Sequence, residues 1–202
     1  MTNEKNANKI KKIVLAAGES KRFGDKNKLS EMINGKPMIN HVLHKLLEIF
    51  DYSELLVILG HEHKVIKNLI CNKDIKILVN LDYKKGIGTS IALGVNYLET
   101  DSDGVMIIPA DMPYLNSKDL VNLEKTFIEL NCEKVVMPEY NSRIGNPVIL
   151  PRNYFNTLKS LRDDCGARSL IKKKDIITFK TGFGTIFDID TKEELAETKA
   201  NY

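Results

Sequence analysis

Tryptophan is absent from the 202 residues, and cysteine occurs only three times, at Cys71, Cys132 and Cys165, without C-x-x-C spacing. An odd count with no paired spacing excludes a disulfide framework and reads as free thiols in a reducing cytosol. No apolar run approaches the roughly 20 residues that span a bilayer. The polar first nine residues lack the apolar core of a signal peptide and read as a loose tail, with 10–202 as one domain. A strong charge of one sign is missing too: 30 basic against 27 acidic residues leave +3, and no basic stripe with interleaved aromatics accompanies it. That argues against nucleic acid as a partner, and a membrane partner is not expected either. Lys172-Lys173-Lys174, the one basic run, reads as a solvated helix end. His61-Glu62-His63 has no further ligand cluster, so zinc is not expected there.

What is present is a chain of ordinary apolar and charged content, long enough for one good core. Apolar runs alternate with amphipathic stretches. Strands are expected at Ile10–Ala16, Glu54–Leu59, Ile75–Val79 and Gly104–Ile108, and helices at Met38–Phe50, Glu62–Ile70, Ser90–Leu98 and Ser117–Glu129. This order predicts an α/β protein: three layers, α/β/α, around a mainly parallel sheet. Ligands of such sheets sit beyond the carboxyl ends of the strands, where the loops after Leu15 and Ile108 fall. After about residue 133 the pattern loosens into short strands at Lys134–Met137, Pro147–Leu150, Ile176–Lys180 and Thr185–Asp188. These read as an insertion covering the sheet edge before a last helix from Thr191, where Thr191-x-x-Glu194 has capping-box spacing.

The densest signal is the first loop. Lys12-Ile13-Val14-Leu15 breaks at Ala16-Ala17-Gly18 into a segment holding Lys21, Arg22, Lys26 and Lys28. Small residues let backbone N–H groups approach a ligand, and the cations neutralise it. After the first strand of an α/β domain this is a phosphate cradle, and a triphosphate matches that much positive charge. The spacing is not a Walker A loop, because Gly24 follows Gly18 by six and is itself followed by Asp25. Nor is it a dinucleotide fingerprint; Gly86-Ile87-Gly88 starts one, but Ile91 stands where the third glycine belongs.

Leu15 to Gly24, Lys28-Leu29 and Gly35-Lys36-Pro37 fit L-A-A-G-x-S-x-R-[FM]-G followed by K-L and G-K-P. They resemble the opening of the nucleotidyltransferases with a Rossmann-like fold, the nucleotide-diphospho-sugar transferase type. The AAG form is similar to the molybdenum cofactor cytidylyltransferases rather than to their guanylyl relatives. The usual G-x-x-K spacing is one residue longer here, and Lys28 is matched because Leu29 follows it, with Lys26 as a substitute. Asn80 to Gly94 resembles the family's N-x-x-[WY]-x-x-G-[MI]-x-x-S-[LI]-x-x-G segment. There Gly86, Gly88 and Ser90 would meet the nucleotide, although Ser90 could equally cap a helix.

Asp111, after the apolar run Val105–Ile108, resembles the family's D-x-P-x-L metal motif; alone, it could merely cap the turn before Pro113. In Phe187-Asp188-Ile189-Asp190-Thr191 the resemblance picks Asp190 as second metal ligand, with Asp188 expected to turn away from it. Gly145-Asn146-Pro147 and Asp164-Cys165-Gly166-Ala167-Arg168 resemble the acceptor motifs G-H-P and G-D-x-G-A-R, with Asn146 in place of His. Asp164 and Arg168 could instead pair along a helix. The resemblance thus implies catalytic roles for Arg22, Lys28 and Asp111 and nucleotide contacts from Leu15, Ala16, Ala17, Gly18, Ser20, Gly86, Gly88 and Ser90. It implies acceptor contacts from Asn146, Asp164 and Arg168, and Mg²⁺ on Asp111 and Asp190. The implied reaction moves CMP from CTP to a molybdopterin-type acceptor, releasing pyrophosphate, in a cytoplasmic enzyme that serves a molybdoenzyme or its chaperone. Another nucleotide, a sugar or alditol phosphate acceptor, or an idle cofactor-delivery protein remain as alternatives.

Overall fold

The computed structural model describes residues 9–24, 26–98 and 102–201, so the expected tail falls, but for Lys9, outside the described residues. The chain enters the core at once on β1 (Ile10–Ala16). A hairpin of β2 (Met32–Ile33) and β3 (Lys36–Pro37) follows, and then α1 (Met38–Leu47). The hairpin turns on Asn34 and Gly35, both at positive φ (47° and 78°), the pairing that a tight two-residue turn demands. Next come β4 (Leu55–Leu59), α2 (His63–Leu69), β5 (Lys76–Val79), α3 (Ile87–Tyr97), β6 (Gly104–Pro109) and α4 (Ser117–Glu129). Asn116 starts α4 by accepting from the Lys118 amide at 2.8 Å, a cap worth about 1 kcal/mol.

The second half adds β7 (Val135–Tyr140), β8 (Arg143–Ile144), β9 (Val148–Pro151), α5 (Phe155–Lys159), β10 (Ile176–Lys180) and α6 (Lys192–Asn201). It is not an insertion over the sheet edge. β10, β7 and β9 extend the same eight-stranded sheet, in the order β10-β7-β9-β6-β1-β4-β5, with β8 on β7. β9 runs antiparallel between β6 and β7, whereas β1 pairs in parallel with both β4 and β6. The expected strand at Thr185–Asp188 does not form. Its backbone bonds go to separate places, Thr185 O accepting from Asn146 N (2.7 Å) and Ile186 N donating to Phe183 O (3.0 Å), so no ladder develops.

Helices cover both faces. Met38, Leu43, Ile66, Leu120 and Leu195 pack with Val14, Val57 and Ile108 on one side. Ile91, Val95 and Leu158 pack with Ile13, Ile58 and Ile107 on the other. Neighbours Ile13 and Val14 enter opposite cores because side chains alternate along a strand. All five β4 residues are buried for the same reason. The fold is a three-layer α/β/α, Rossmann-like sandwich, with β1 at its centre aiming the first loop into solvent.

Candidate active site

β1 ends between its two parallel neighbours, and its loop opens a cleft of about 560 Å³. The loop is anchored at both ends. Phe23 is buried and its amide donates to Ser20 O at 2.8 Å, while Ser20 itself holds φ 54°. Asn27, also buried, accepts from the Leu29 amide at 3.1 Å and starts a short turn that carries Lys28 inward. The longer spacing therefore accommodates a buried Asn whose side chain aims Lys28, and Lys26 stays exposed.

Lys28 Nζ donates to Asp111 Oδ2 at 2.6 Å and to Asp190 Oδ1 at 2.7 Å; Arg22 reaches Asp190 Oδ2 at 2.5 Å. Burial alone would lower the Lys28 pKa, yet the two carboxylates hold it above the ordinary lysine value. Burial likewise opposes ionisation of Asp190, but Lys28 and Arg22 outweigh it and hold that carboxyl below its usual range.

Asp188 corrects the sequence expectation. Carboxylate oxygens of Asp111, Asp188 and Asp190 lie within 4.8 Å of one another. Residues two apart share a face even in a strand, and residues 186–190 form no strand. Desolvation by surrounding protein, and then the charges of Asp111 and Asp190, push the Asp188 carboxyl above its usual range. Asp111 Oδ1 is buried with no hydrogen-bond partner among the described residues. Three clustered carboxylates and one orphaned buried oxygen fit a hard divalent cation.

The far wall comes from the segment around Gly86. Gly86 takes φ 120°, and α3 begins directly after it, three residues before the expected start, so Ser90 lies inside the helix instead of capping it. Leu15, Ala16, Ala17, Gly18, Ser20, Gly86 and Ser90 all line the cleft. Gly88 does not: its amide donates to Asp163 O at 2.9 Å, and a Cβ there would sit 2.6 Å from that oxygen. Asp164 lines the cleft and accepts from the Ile87 amide at 3.4 Å. No helix runs from Asp164 to Arg168 to pair them. Arg168 instead bonds the carbonyl of Gly145 and, at 3.1 Å, Asn146 Oδ1, so these two acceptor candidates form one unit. Burial lowers the Arg168 pKa, with the nearby Asp188 charge opposing. Lys84 and Lys85, which also line the cleft, escaped sequence reasoning, although the paired lysines beside Gly86 were a visible signal.

The cleft can therefore hold a polyanion between small-residue backbone and cations, with a divalent-ion seat beside it. Residues 12–177 match the MobA-like NTP transferase domain. The bifunctional protein GlmU of Thermosipho africanus is 31% identical over 171 residues, covering 84% of this chain and 36% of GlmU. The chain thus spans little more than a third of that relative's length. The purine catabolism protein PucB of Bacillus subtilis is 29% identical over 194 residues, covering 90% of this chain and 92% of PucB. Among solved structures, Rv0371c of Mycobacterium tuberculosis H37Rv matches with a TM-score of 0.81 at 19% identity, over 96% of this chain and 99% of that one. Its complex with manganese matches at 0.80 and 18% identity, over 96% and 100% of the two chains. The structural matches speak to fold alone; the domain match covers most of the sequence and contains the loop after β1 and Asp111. The chain belongs to the nucleotidyltransferases, in the MobA-like NTP transferase domain family.

Proposed function

We propose that this protein transfers CMP from CTP to a molybdopterin-type acceptor and releases pyrophosphate. The observation that carries the reading is the convergence of Lys28, Asp111 and Asp190 beside a loop of small residues and cations. The terminal phosphate of the acceptor attacks the α-phosphorus. One P–O bond forms there as the bond to the β-phosphate breaks, and the electron pair leaves with pyrophosphate. A phosphate nucleophile is already ionised near neutral pH, so no general base is needed. The protein's task is alignment and charge neutralisation.

Loop amides from Ala16 to Ser20 bind the triphosphate, and Arg22 and Lys28 stabilise the departing pyrophosphate. Gly86 and Ser90 meet the base. Asp164, Asn146 and Arg168 face the acceptor, the last two as the unit described above. Asp111 and Asp190, with Asp188 beside them, would hold Mg²⁺, which supplies Lewis acidity at the reacting phosphate. A cytoplasmic location fits the three cysteines, all unpaired, and no described helix is long and apolar enough to cross a membrane. A molybdoenzyme or its chaperone would receive the product.

Pyrophosphate release, measured across CTP, GTP, ATP and UTP with and without molybdenum-loaded molybdopterin, tests this. CTP should give the highest kcat/KM, and only with the acceptor present. A GTP preference would move the assignment to a guanylyl transfer, release with a sugar phosphate alone would move the acceptor, and no release under any condition would leave an idle delivery protein.

A further inference from the structure

Asn80, buried directly after β5, makes bonds whose polarity can be read. Its Oδ1 accepts from the Asp82 amide at 2.9 Å. A backbone N–H only donates, so this contact fixes which end of the side-chain amide is oxygen. Nδ2 must then face the other way, and it does, donating to Thr89 Oγ1 at 2.8 Å and to Ser90 Oγ at 2.9 Å. Both of its hydrogens are thereby engaged. Each hydroxyl oxygen acts as acceptor toward Asn80, and its own hydrogen must point elsewhere. Thr89 directs its hydrogen to Gly86 O at 2.8 Å. Ser90 donates to no acceptor among the described residues, and it lines the cleft.

We propose that Asn80 is a positioning residue that occupies one lone pair of Ser90 and leaves its hydrogen to be satisfied by the ligand, so that this hydroxyl favours a nucleobase edge presenting a ring nitrogen or carbonyl oxygen. The inference rests on the nucleotide reading above, with the base over the segment from Gly86 to Ser90. A base that turned an N–H toward Ser90 would take the remaining lone pair and leave the hydroxyl hydrogen without an acceptor, a cost that a buried site enforces. Asn80 touches no ligand in this scheme and acts through Ser90.

The test is equilibrium binding of CTP with Mg²⁺, by titration calorimetry, to the wild-type chain and its variants, with inorganic tripolyphosphate as a ligand lacking a base. Ser90→Ala should weaken CTP binding roughly two- to tenfold, the scale of one hydrogen bond. Asn80→Asp keeps the Asp82 contact but accepts from Ser90, turning a lone pair toward the base; it should weaken CTP at least as much. The double variant should bind like Ser90→Ala alone, since residue 80 then has no hydroxyl at position 90 to orient. Thr89→Val should leave CTP affinity unchanged, and tripolyphosphate should bind all variants like wild type. Should Asn80→Asp not fold, Asn80→Ala in both Ser90 backgrounds closes the same cycle. Additive losses, or tripolyphosphate affinity falling in parallel, would show Asn80 to be merely structural and overturn the inference. A wild-type chain that binds tripolyphosphate as well as any nucleotide would overturn the nucleotide reading, and this inference with it.

Discussion

Lys28 Nζ lies 2.6 Å from Asp111 Oδ2, joining the loop after the first strand to the end of β6 across 83 positions of sequence. The contact exists because β1 and β6 are parallel neighbours whose carboxyl ends open on the same side. In a half-buried site the ammonium supplies the positive charge that two close carboxylates require. In the proposed reaction the same ammonium stabilises the leaving group.

Lys28→Ala should lower the rate of pyrophosphate release far more than Lys26→Ala. Losing a group that stabilises transition-state charge removes about 2.7–4 kcal/mol, or 10²–10³ in rate. Lys26 is exposed, and its loss should change turnover little. Equal losses would reassign the phosphate contact to the loop as a whole.

Asp111→Asn and Asp190→Asn should each nearly abolish transfer while leaving the thermal midpoint within a few degrees of wild type. Asp188→Asn should also weaken Mn²⁺ binding, read by electron paramagnetic resonance without nucleotide, because its carboxylate belongs to the same cluster. A loss of at least about tenfold is expected, the scale seen even for groups one step removed from a metal. Unchanged Mn²⁺ affinity in Asp188→Asn would confine the seat to Asp111 and Asp190.

Two glycines of the cleft should behave differently on substitution by alanine. At Gly86 the positive φ strains any side chain, and a Cβ would lie 2.4 Å from Asp164 Cα, so Gly86→Ala should destabilise the fold by about 1–3 kcal/mol or more. At Gly18 a Cβ meets nothing within 4 Å. Gly18→Ala should keep its denaturation midpoint and lose triphosphate affinity alone, because the methyl group occupies ligand space. Destabilisation by Gly18→Ala in chemical denaturation would contradict this.

Lys12 is buried at the opposite end of the sheet from the cleft, bonded to Glu54 and, at 2.8 Å, to Glu124 Oε1, with its ammonium 3.9 Å from the Phe50 ring centroid. Lys12→Met should destabilise the fold, by up to about 3 kcal/mol, by leaving the half-buried Glu124 without its partner. Desolvation already holds the Glu124 pKa above its ordinary value, with Lys12 opposing. A carboxyl with a raised folded pKa binds more protons folded than unfolded, so its penalty is present above the folded pKa and relieved as pH falls through it. The deficit of Lys12→Met should therefore shrink on acidification from neutral pH in urea titrations. A deficit that grew on acidification would place the lost stability elsewhere.

Local pattern carried much of the architecture. β1, β10 and α4 run over the expected residues, because apolar runs and the Asn116 cap are features of neighbouring residues. The capping box at the last helix forms as read, with Glu194 N donating to Thr191 Oγ1 at 3.2 Å and the Thr191 amide to Glu194 Oε2 at 3.0 Å. Reading failed where the outcome depended on distant partners. Thr185–Asp188 has strand-like composition, but close approach of Gly145 to the Thr185 carbonyl holds it as a turn. β9 looked like part of an insertion because nothing local reveals antiparallel pairing with β6.

The sequence by itself determined the alternating α/β order, the small-residue loop after β1 and its cations, since backbone freedom, polarity and period are properties of short segments. Only the tertiary structure decided that Asp188 joins Asp111 and Asp190, that Lys28 rather than Lys26 faces them, and that Asn80 bonds the Ser90 hydroxyl. Each of those is a meeting of side chains from separate segments. Their geometry follows from strand order and from how irregular segments cross the sheet end, which the packing of the whole core selects and no single stretch of chain encodes.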